Sequence, residues 1–336
     1  MNSDDHSAAD AVTARTVLLV GGAGYVGSVI TRHLLESGYG VRSFDLLLFN
    51  NRSTVTPFLD DPRYQFVHGD LTDRTRVGEA LDGVTDVVLL AGLVGDPITR
   101  KYPDAARRIN EDGYDELLRL LAGRGLGRVI FVSTCSNYGF IEGDHLAEED
   151  HPLEPLSTYA AAKVAVEKNI LGLEGQIDYA PVVLRFATAF GLSPRMRFDL
   201  TINEFTRELV LGNELVVYDS ETWRPYCHVA DFAEITQRVL EAPIGDVAFE
   251  VFNAGSEANN CTKQMIVDAI LEQVPEARVR YENHGADARN YRVGFAKIRQ
   301  CLDFEPRHTV ANGIREIIDS MNHGLYHDIA EPPGFH

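Results

Sequence analysis

The sequence predicts an α/β fold: a doubly wound parallel sheet with a smaller α/β substrate domain toward the C-terminus. Three observations carry the prediction. Apolar runs such as Val17–Val20, Val84–Leu90 and Arg128–Val132 have the length and composition of strands buried on both faces. Segments with apolar residues at helical spacing alternate with them, beginning with Val26, Ile30 and Leu34. The first run ends in Gly21, Gly24 and Gly27 and opens directly into that helix.

A strand that ends in glycines and continues as a helix is a phosphate cradle. Without side chains at Gly21, Gly24 and Gly27, backbone N–H groups at the turn and at Tyr25 and Val26 can approach a pyrophosphate at the positive end of the helix. The next strand, Val41–Asp45, closes on an acid about twenty residues past the glycines, where a carboxylate accepts from both ribose hydroxyls. Asp45 would repel a 2′-phosphate, which favours NAD over NADP.

At 336 residues the chain can bury a large core in one elaborate domain or two. Its composition, 45% apolar and 24% charged, is that of a soluble globular protein, and no stretch approaches the length of a membrane span. Met1 to Arg15 has no basic start or apolar centre and reads as a disordered tail, not a signal peptide. Cys135, Cys227, Cys261 and Cys301 are scattered without metal-type pairing, as expected of reduced thiols in the cytoplasm and of a chain with no metal site. A net charge of −19 argues against nucleic acid and anionic membranes as partners; an anionic ligand must be met by a few placed arginines and helix ends.

Beyond Asp45 a loop rich in Asn, Pro and Asp leads to the short strand Tyr64–His68. Asp70, with Leu71, stands at its carboxyl end, either to accept from an adenine amino group or to cap the helix that starts near Thr72. Val84–Leu90 runs into Ala91-Gly92, small enough for a cofactor to lie across the sheet edge. The helix from about Asp104 to Gly123 carries Asn110, a cofactor contact or polar surface. Arg128–Val132 ends in Ser133-Thr134-Cys135-Ser136, a hydroxyl-rich strand end where α/β enzymes place chemistry. The next helix begins near Ser157 or Thr158 and sets Tyr159 and Lys163 one turn apart on one face. A cation beside a phenol favours phenolate, which tunes Tyr159 toward proton exchange near neutral pH.

Gly21-x-x-Gly24-x-x-Gly27, Asp45, Ser133-Thr134 and Tyr159-x-x-x-Lys163, in this order on alternating strands and helices, resemble the extended short-chain dehydrogenase/reductases. Within them the chain looks like the nucleotide-sugar epimerases and dehydratases, in pattern most like UDP-sugar 4-epimerases, from about Thr16 to Phe304-Glu305-Pro306. The resemblance implies a Rossmann-type NAD-binding domain (16–186 and 227–253) and a nucleotide-sugar-binding domain (187–226 and 254–330). It implies transient oxidation of a sugar carbon with NAD as hydride carrier. Tyr159 takes the hydroxyl proton, Thr134 hydrogen-bonds the same oxygen, and Lys163 holds the ribose.

The implied substrate is a nucleotide-diphosphate sugar, a UDP-sugar first. Its expected contacts are Thr134, Cys135, Ser136, Thr188 (where the family usually has Asn), Arg195 and Asn203. Arg224 and Arg289 are expected on the diphosphate, and Arg197 reads as a surface charge. Family 4,6-dehydratases carry Asp-Glu directly after the Thr, whereas this chain has Cys135-Ser136, so the resemblance favours C4 epimerisation. Dehydration, C3/C5 epimerisation with Cys135 as a proton carrier, decarboxylation, keto-sugar reduction and a non-catalytic NAD sensor are the alternatives. A homodimer through helices near 104–122 and 157–172 is the family expectation.

Overall fold

The computed structural model describes residues 15–283 and 289–326. The expected tail up to residue 14 lies outside them. Arg15, assigned to that tail, is instead ordered by Asp86, whose carboxylate accepts from Arg15 Nε at 3.0 Å.

Seven parallel strands form the main sheet: β1 (Thr16–Val20), β2 (Gly40–Asp45), β3 (Tyr64–His68), β4 (Asp86–Leu89), β5 (Arg128–Thr134), β7 (Ala180–Phe186) and β11 (Glu250–Ala254). The two-residue strand β6 (Leu146–Ala147) pairs apart from it. The sheet order is β11-β7-β5-β4-β1-β2-β3. The central strands carry nearly continuous apolar runs because both faces are covered. On one face α1 (Tyr25–Glu36) and α8 (Val229–Glu241) pack together; on the other lie α2 (Arg74–Ala80), α5 (Gly113–Leu121) and α6 (Thr158–Leu171). The order reverses between β1 and β4, and in such sheets the crevice outside the strands' carboxyl ends at that point binds ligands.

The expected helix over about 104–123 is three pieces: α4 (Pro103–Arg107), a π turn (Arg108–Asp112) and α5, preceded by an unanticipated α3 (Asp96–Lys101). Asn110 sits in the π turn and is 4% exposed, so the polar-surface reading gives way. It lies in the helical row of Ala106, Tyr114, Leu117 and Leu121, all buried, which turns its amide inward.

A second group of elements has its own core around Phe190, Ile202, Phe205, Val217, Ile266, Ile270 and Ile314. It consists of β8 (Thr188–Phe190), α7 (Thr201–Val210), β9 (Glu214–Tyr218), β10 (Trp223–His228), β12 (Asn260–Thr262), α10 (Lys263–Leu271), β13 (Arg278–Glu282) and α12 (Val310–Asn322). Between them in the chain come α9 (Ile244–Val247), β14 (Arg292–Val293), which pairs with β6, and α11 (Ala296–Leu302). After β10 the chain returns to the large sheet through α8 and β11.

Candidate active site

The glycine turn is built by close approach. Gly21 has φ +94°, a conformation L side chains rarely adopt, and a Cβ there would lie 2.8 Å from the Ala91 nitrogen. A Cβ on Gly27 would lie 2.3 Å from the Gly21 carbonyl oxygen, so helix and turn can pack this tightly only without side chains. A Cβ on Gly24, the N-cap of α1, would meet only the Gly21 carbonyl oxygen. No side chain caps this helix, which leaves first-turn N–H groups for an anion. Val26 packs on the core. The Tyr25 side chain points away from the cradle, its phenol donating to the Gly191 carbonyl at 2.7 Å.

Asp45 accepts from the Ala23 N–H (3.1 Å) and the Leu47 N–H (2.8 Å), which clamps the turn. Burial raises its pKa, opposed by those two hydrogen bonds and by Arg195. A carboxylate has about four acceptor sites, so two bonds leave room for ribose hydroxyls. Across the crevice, the Leu90 and Ala91 N–H groups both donate to the Val20 carbonyl, and the Ala91 carbonyl accepts from Tyr114. The Asn110 amide holds Leu93 at both ends, accepting from its N–H and donating to its carbonyl, each at 2.9 Å. The same Asn110 oxygen would be 2.8 Å from a Cβ on Gly92. Asp70 takes both the N–H and the hydroxyl of Thr72; the next helix is capped by Asp73, not Asp70. The Leu71 side chain turns into the core, so only its backbone can face a ligand.

Thr134 ends β5 and caps the short turn Cys135–Tyr138. Its Oγ1 accepts from the Ser136 N–H (3.1 Å) and lies 2.8 Å from Ser136 Oγ. Ser157 caps α6, which presents Tyr159 and Lys163 on adjacent turns. Lys163 Nζ is 6.0 Å from the Tyr159 ring centroid and 4.6 Å from that of Phe131, and it donates to the Val132 carbonyl at 2.8 Å. Burial lowers the Lys163 pKa to about 8, with Glu167 opposing the shift.

Two expected substrate contacts are turned into the protein. Cys135 is 1% exposed, its Sγ donates to the Arg185 carbonyl, and burial pushes its pKa up. Asn203 is fully buried; its oxygen accepts from the Gly191 N–H and its nitrogen donates to Tyr25 Oη and the Arg197 carbonyl. Arg197, read as a surface charge, is only 18% exposed and pairs with Asp199 at 2.5 Å.

Arg195 stacks over Phe49 at 4.0 Å, and burial lowers its pKa to about 10. Thr188 pairs with Tyr226 of β10. Arg224, on the same strand, donates to the carbonyl of Arg289, which brings the two expected diphosphate arginines side by side. Asp287 and Ala288, which precede Arg289, lie outside the described residues. No cluster of His, Cys, Asp or Glu among the described residues is placed to hold a metal.

The chain from Val17 to Gly255 matches the model of the NAD-dependent epimerase/dehydratase family. The protein belongs to that family. Over 317 residues it is 30% identical to the dTDP-glucose 4,6-dehydratase of Streptomyces niveus, covering 90% of this chain and 91% of that one. Over 328 residues it is 26% identical to the UDP-glucose 4-epimerase of Rhizobium leguminosarum bv. trifolii, covering 92% and 98%. The crystal structure of the Bacillus anthracis dTDP-glucose 4,6-dehydratase in complex with NAD matches with TM-score 0.81 at 25% identity, over 92% of this chain and 97% of that one.

The cofactor of this epimerase/dehydratase is NAD, and the cradle fits it: glycines at the turn, an uncapped helix end, and an acid for the ribose. Sequence reasoning missed Glu167 and Arg185, a buried ion pair (2.8 Å) behind Thr134 and Lys163. The available signal was a lone Arg inside the apolar strand Val182–Phe186.

Proposed function

We propose that this protein epimerises a nucleotide sugar, at C4 of a UDP-sugar in the first instance, through a transient keto intermediate. The observation that carries this reading is the turn after Thr134: it offers a buried thiol, Cys135, and a hydroxyl, Ser136, and no carboxylate. Eliminating water from a keto-sugar requires a base at one carbon and an acid at the departing oxygen. Inverting C4 requires only that the keto-sugar turn over before hydride returns.

Bound NAD supplies the hydride acceptor and donor. Tyr159 takes the proton of the substrate hydroxyl and later returns it. The Lys163 ammonium, spending one hydrogen on the Val132 carbonyl, keeps others for a ribose hydroxyl and stabilises the phenolate by its charge. With Ser136 as donor, Thr134 accepts two hydrogen bonds and directs its own proton to the substrate oxygen. Arg224 and Arg289 meet the diphosphate, for which a guanidinium fork is suited. A homodimer through the faces of α5 and α6 accompanies this reading.

The second reading is 4,6-dehydration, favoured by the 30% identity to a dTDP-glucose 4,6-dehydratase. Incubating the holoenzyme with UDP-, dTDP-, GDP- and CDP-glucose and separating the products decides between them. An epimer of unchanged mass supports the proposal. A product lighter by one water replaces it with dehydration. No turnover of any nucleotide sugar points to an NAD-sensing role.

A further inference from the structure

The face of α6 that carries Tyr159 and Lys163 continues, one turn on, with Glu167. This carboxylate is 1% exposed, and bare burial of a charge is costly, so its partners define it. Its oxygens accept from Ser133 Oγ, from Asn137 Nδ2 at 2.7 Å, and from Arg185 Nε and Nη2 at 3.1 and 2.8 Å. Ser133 precedes Thr134 on β5, Asn137 lies in the turn that Thr134 caps, and Arg185 belongs to β7, the strand leading to Thr188. Arg185 is completed by Tyr138 Oη and the Glu149 carbonyl, each at 2.9 Å.

We propose that Glu167, with Arg185 as its counter-ion, is the positioning residue of this site: one buried carboxylate that sets the catalytic face of α6 against the strand end bearing Thr134. The proposal rests on the assignment of Tyr159, Lys163 and Thr134 as the reacting constellation.

Beside Tyr159 the buried side chains of the helix are the small ones of Ala160 and Ala162, which grip a neighbour weakly against rotation. A charge held by four directed donors fixes both rotation and height. It also acts on Lys163, one turn away. The groups facing that ammonium are Tyr159 and Glu167 on its own helix, Tyr114 from α5 at 5.5 Å, and Phe131 from β5. Glu167 is the anion among them and holds the proton on Lys163 against the cost of burial.

The test uses holoenzyme labelled with ¹³C at the lysine ε carbons. The lysines are Lys101, Lys163, Lys168, Lys263 and Lys297, and Lys163→Met assigns the signal of interest. Glu167→Gln is expected to lower the Lys163 titration midpoint by about one pH unit or more, with Glu167→Asp recovering part of the shift.

Because Glu167→Gln strands a buried guanidinium, Glu167→Gln/Arg185→Met is made alongside it; this double variant keeps the amide bonds and removes both charges. It is expected to bind NAD as wild type does and to lower the same midpoint. With UDP-glucose as probe, its kcat should fall about a hundredfold with little change in KM, the effect of a misplaced constellation. An unmoved Lys163 midpoint in a folded variant overturns the proposal, as does wild-type kcat where Tyr159→Phe is inactive. Absence of UDP-glucose turnover in the wild type, by contrast, counts against the C4-epimerase reading, and the Lys163 titration still decides the role of Glu167.

Discussion

The Lys163 ammonium lies 6.0 Å from the centre of the Tyr159 ring, the two side chains standing on adjacent turns of α6, and Lys163 Nζ reaches the Val132 carbonyl of β5 at 2.8 Å. The proposed reaction uses this phenol as its base. Replacing Tyr159 with Phe removes the proton acceptor and leaves the cradle intact. Turnover should drop by about 100- to 10,000-fold while NAD bound per chain stays unchanged. Near-normal turnover would assign the base elsewhere.

Lys163 gives a pH-dependent stability with a definite sign. Its folded pKa is lowered from 10.5 to about 8, so the folded state binds fewer protons than the unfolded chain between those values. Stability from this group therefore rises with pH across that window, by up to about 1.4 kcal/mol per unit. Lys163→Met should remove the slope, so that wild type gains on the variant between pH 8 and 10.5 in thermal melts. Parallel curves would rule the assignment out.

Gly21 tests the cradle. Ala at this position meets both a φ of +94° and the Ala91 backbone at 2.8 Å. Gly21→Ala should cost about 1–3 kcal/mol of stability and weaken NAD binding, measured by calorimetric titration. Undiminished NAD affinity would place the dinucleotide away from this turn.

The Arg224 guanidinium donates to the Arg289 backbone carbonyl, so truncating Arg224 also removes a tether of the segment that carries Arg289. Arg224→Ala should raise the Kd for UDP at least tenfold, the loss of about 1.4 kcal/mol or more from a charge-assisted fork. NAD affinity should be unchanged. Equal weakening of both ligands would mean a structural role.

Thiol chemistry separates the cysteines. Cys301 is exposed, whereas Cys135, Cys227 and Cys261 are buried with raised pKa values. Iodoacetamide should modify Cys301 alone in the folded protein, by peptide mass mapping, with no loss of turnover. Rapid alkylation of Cys135 would reopen its role in proton transfer.

Much of this was legible in order along the chain. Val17–Val20, Val84–Leu90 and Arg128–Val132 announced themselves as apolar runs, Val41–Asp45 and Tyr64–His68 as shorter strands, and Gly21, Gly24, Gly27, Asp45, Tyr159 and Lys163 stood out by spacing, because backbone geometry and helical period fix where such residues lie. Asn110 was legible only as a residue. That its amide grips Leu93 depends on a π turn that no spacing rule announces. Arg197 likewise looked like surface charge, since nothing local says that the loop after β8 folds back on Tyr25 through Ser193 and Asn203.

The sequence by itself determined the sheet, the cofactor cradle and the phenol–ammonium pair, because each is specified by residues close together in the chain. Only the tertiary structure decided that Cys135 faces the core and that a carboxylate on α6 meets a guanidinium on β7 behind the site. Those contacts join residues far apart in sequence. Burial, which makes an unpaired charge costly and a thiol inert, is a property of the assembled fold and not of any segment.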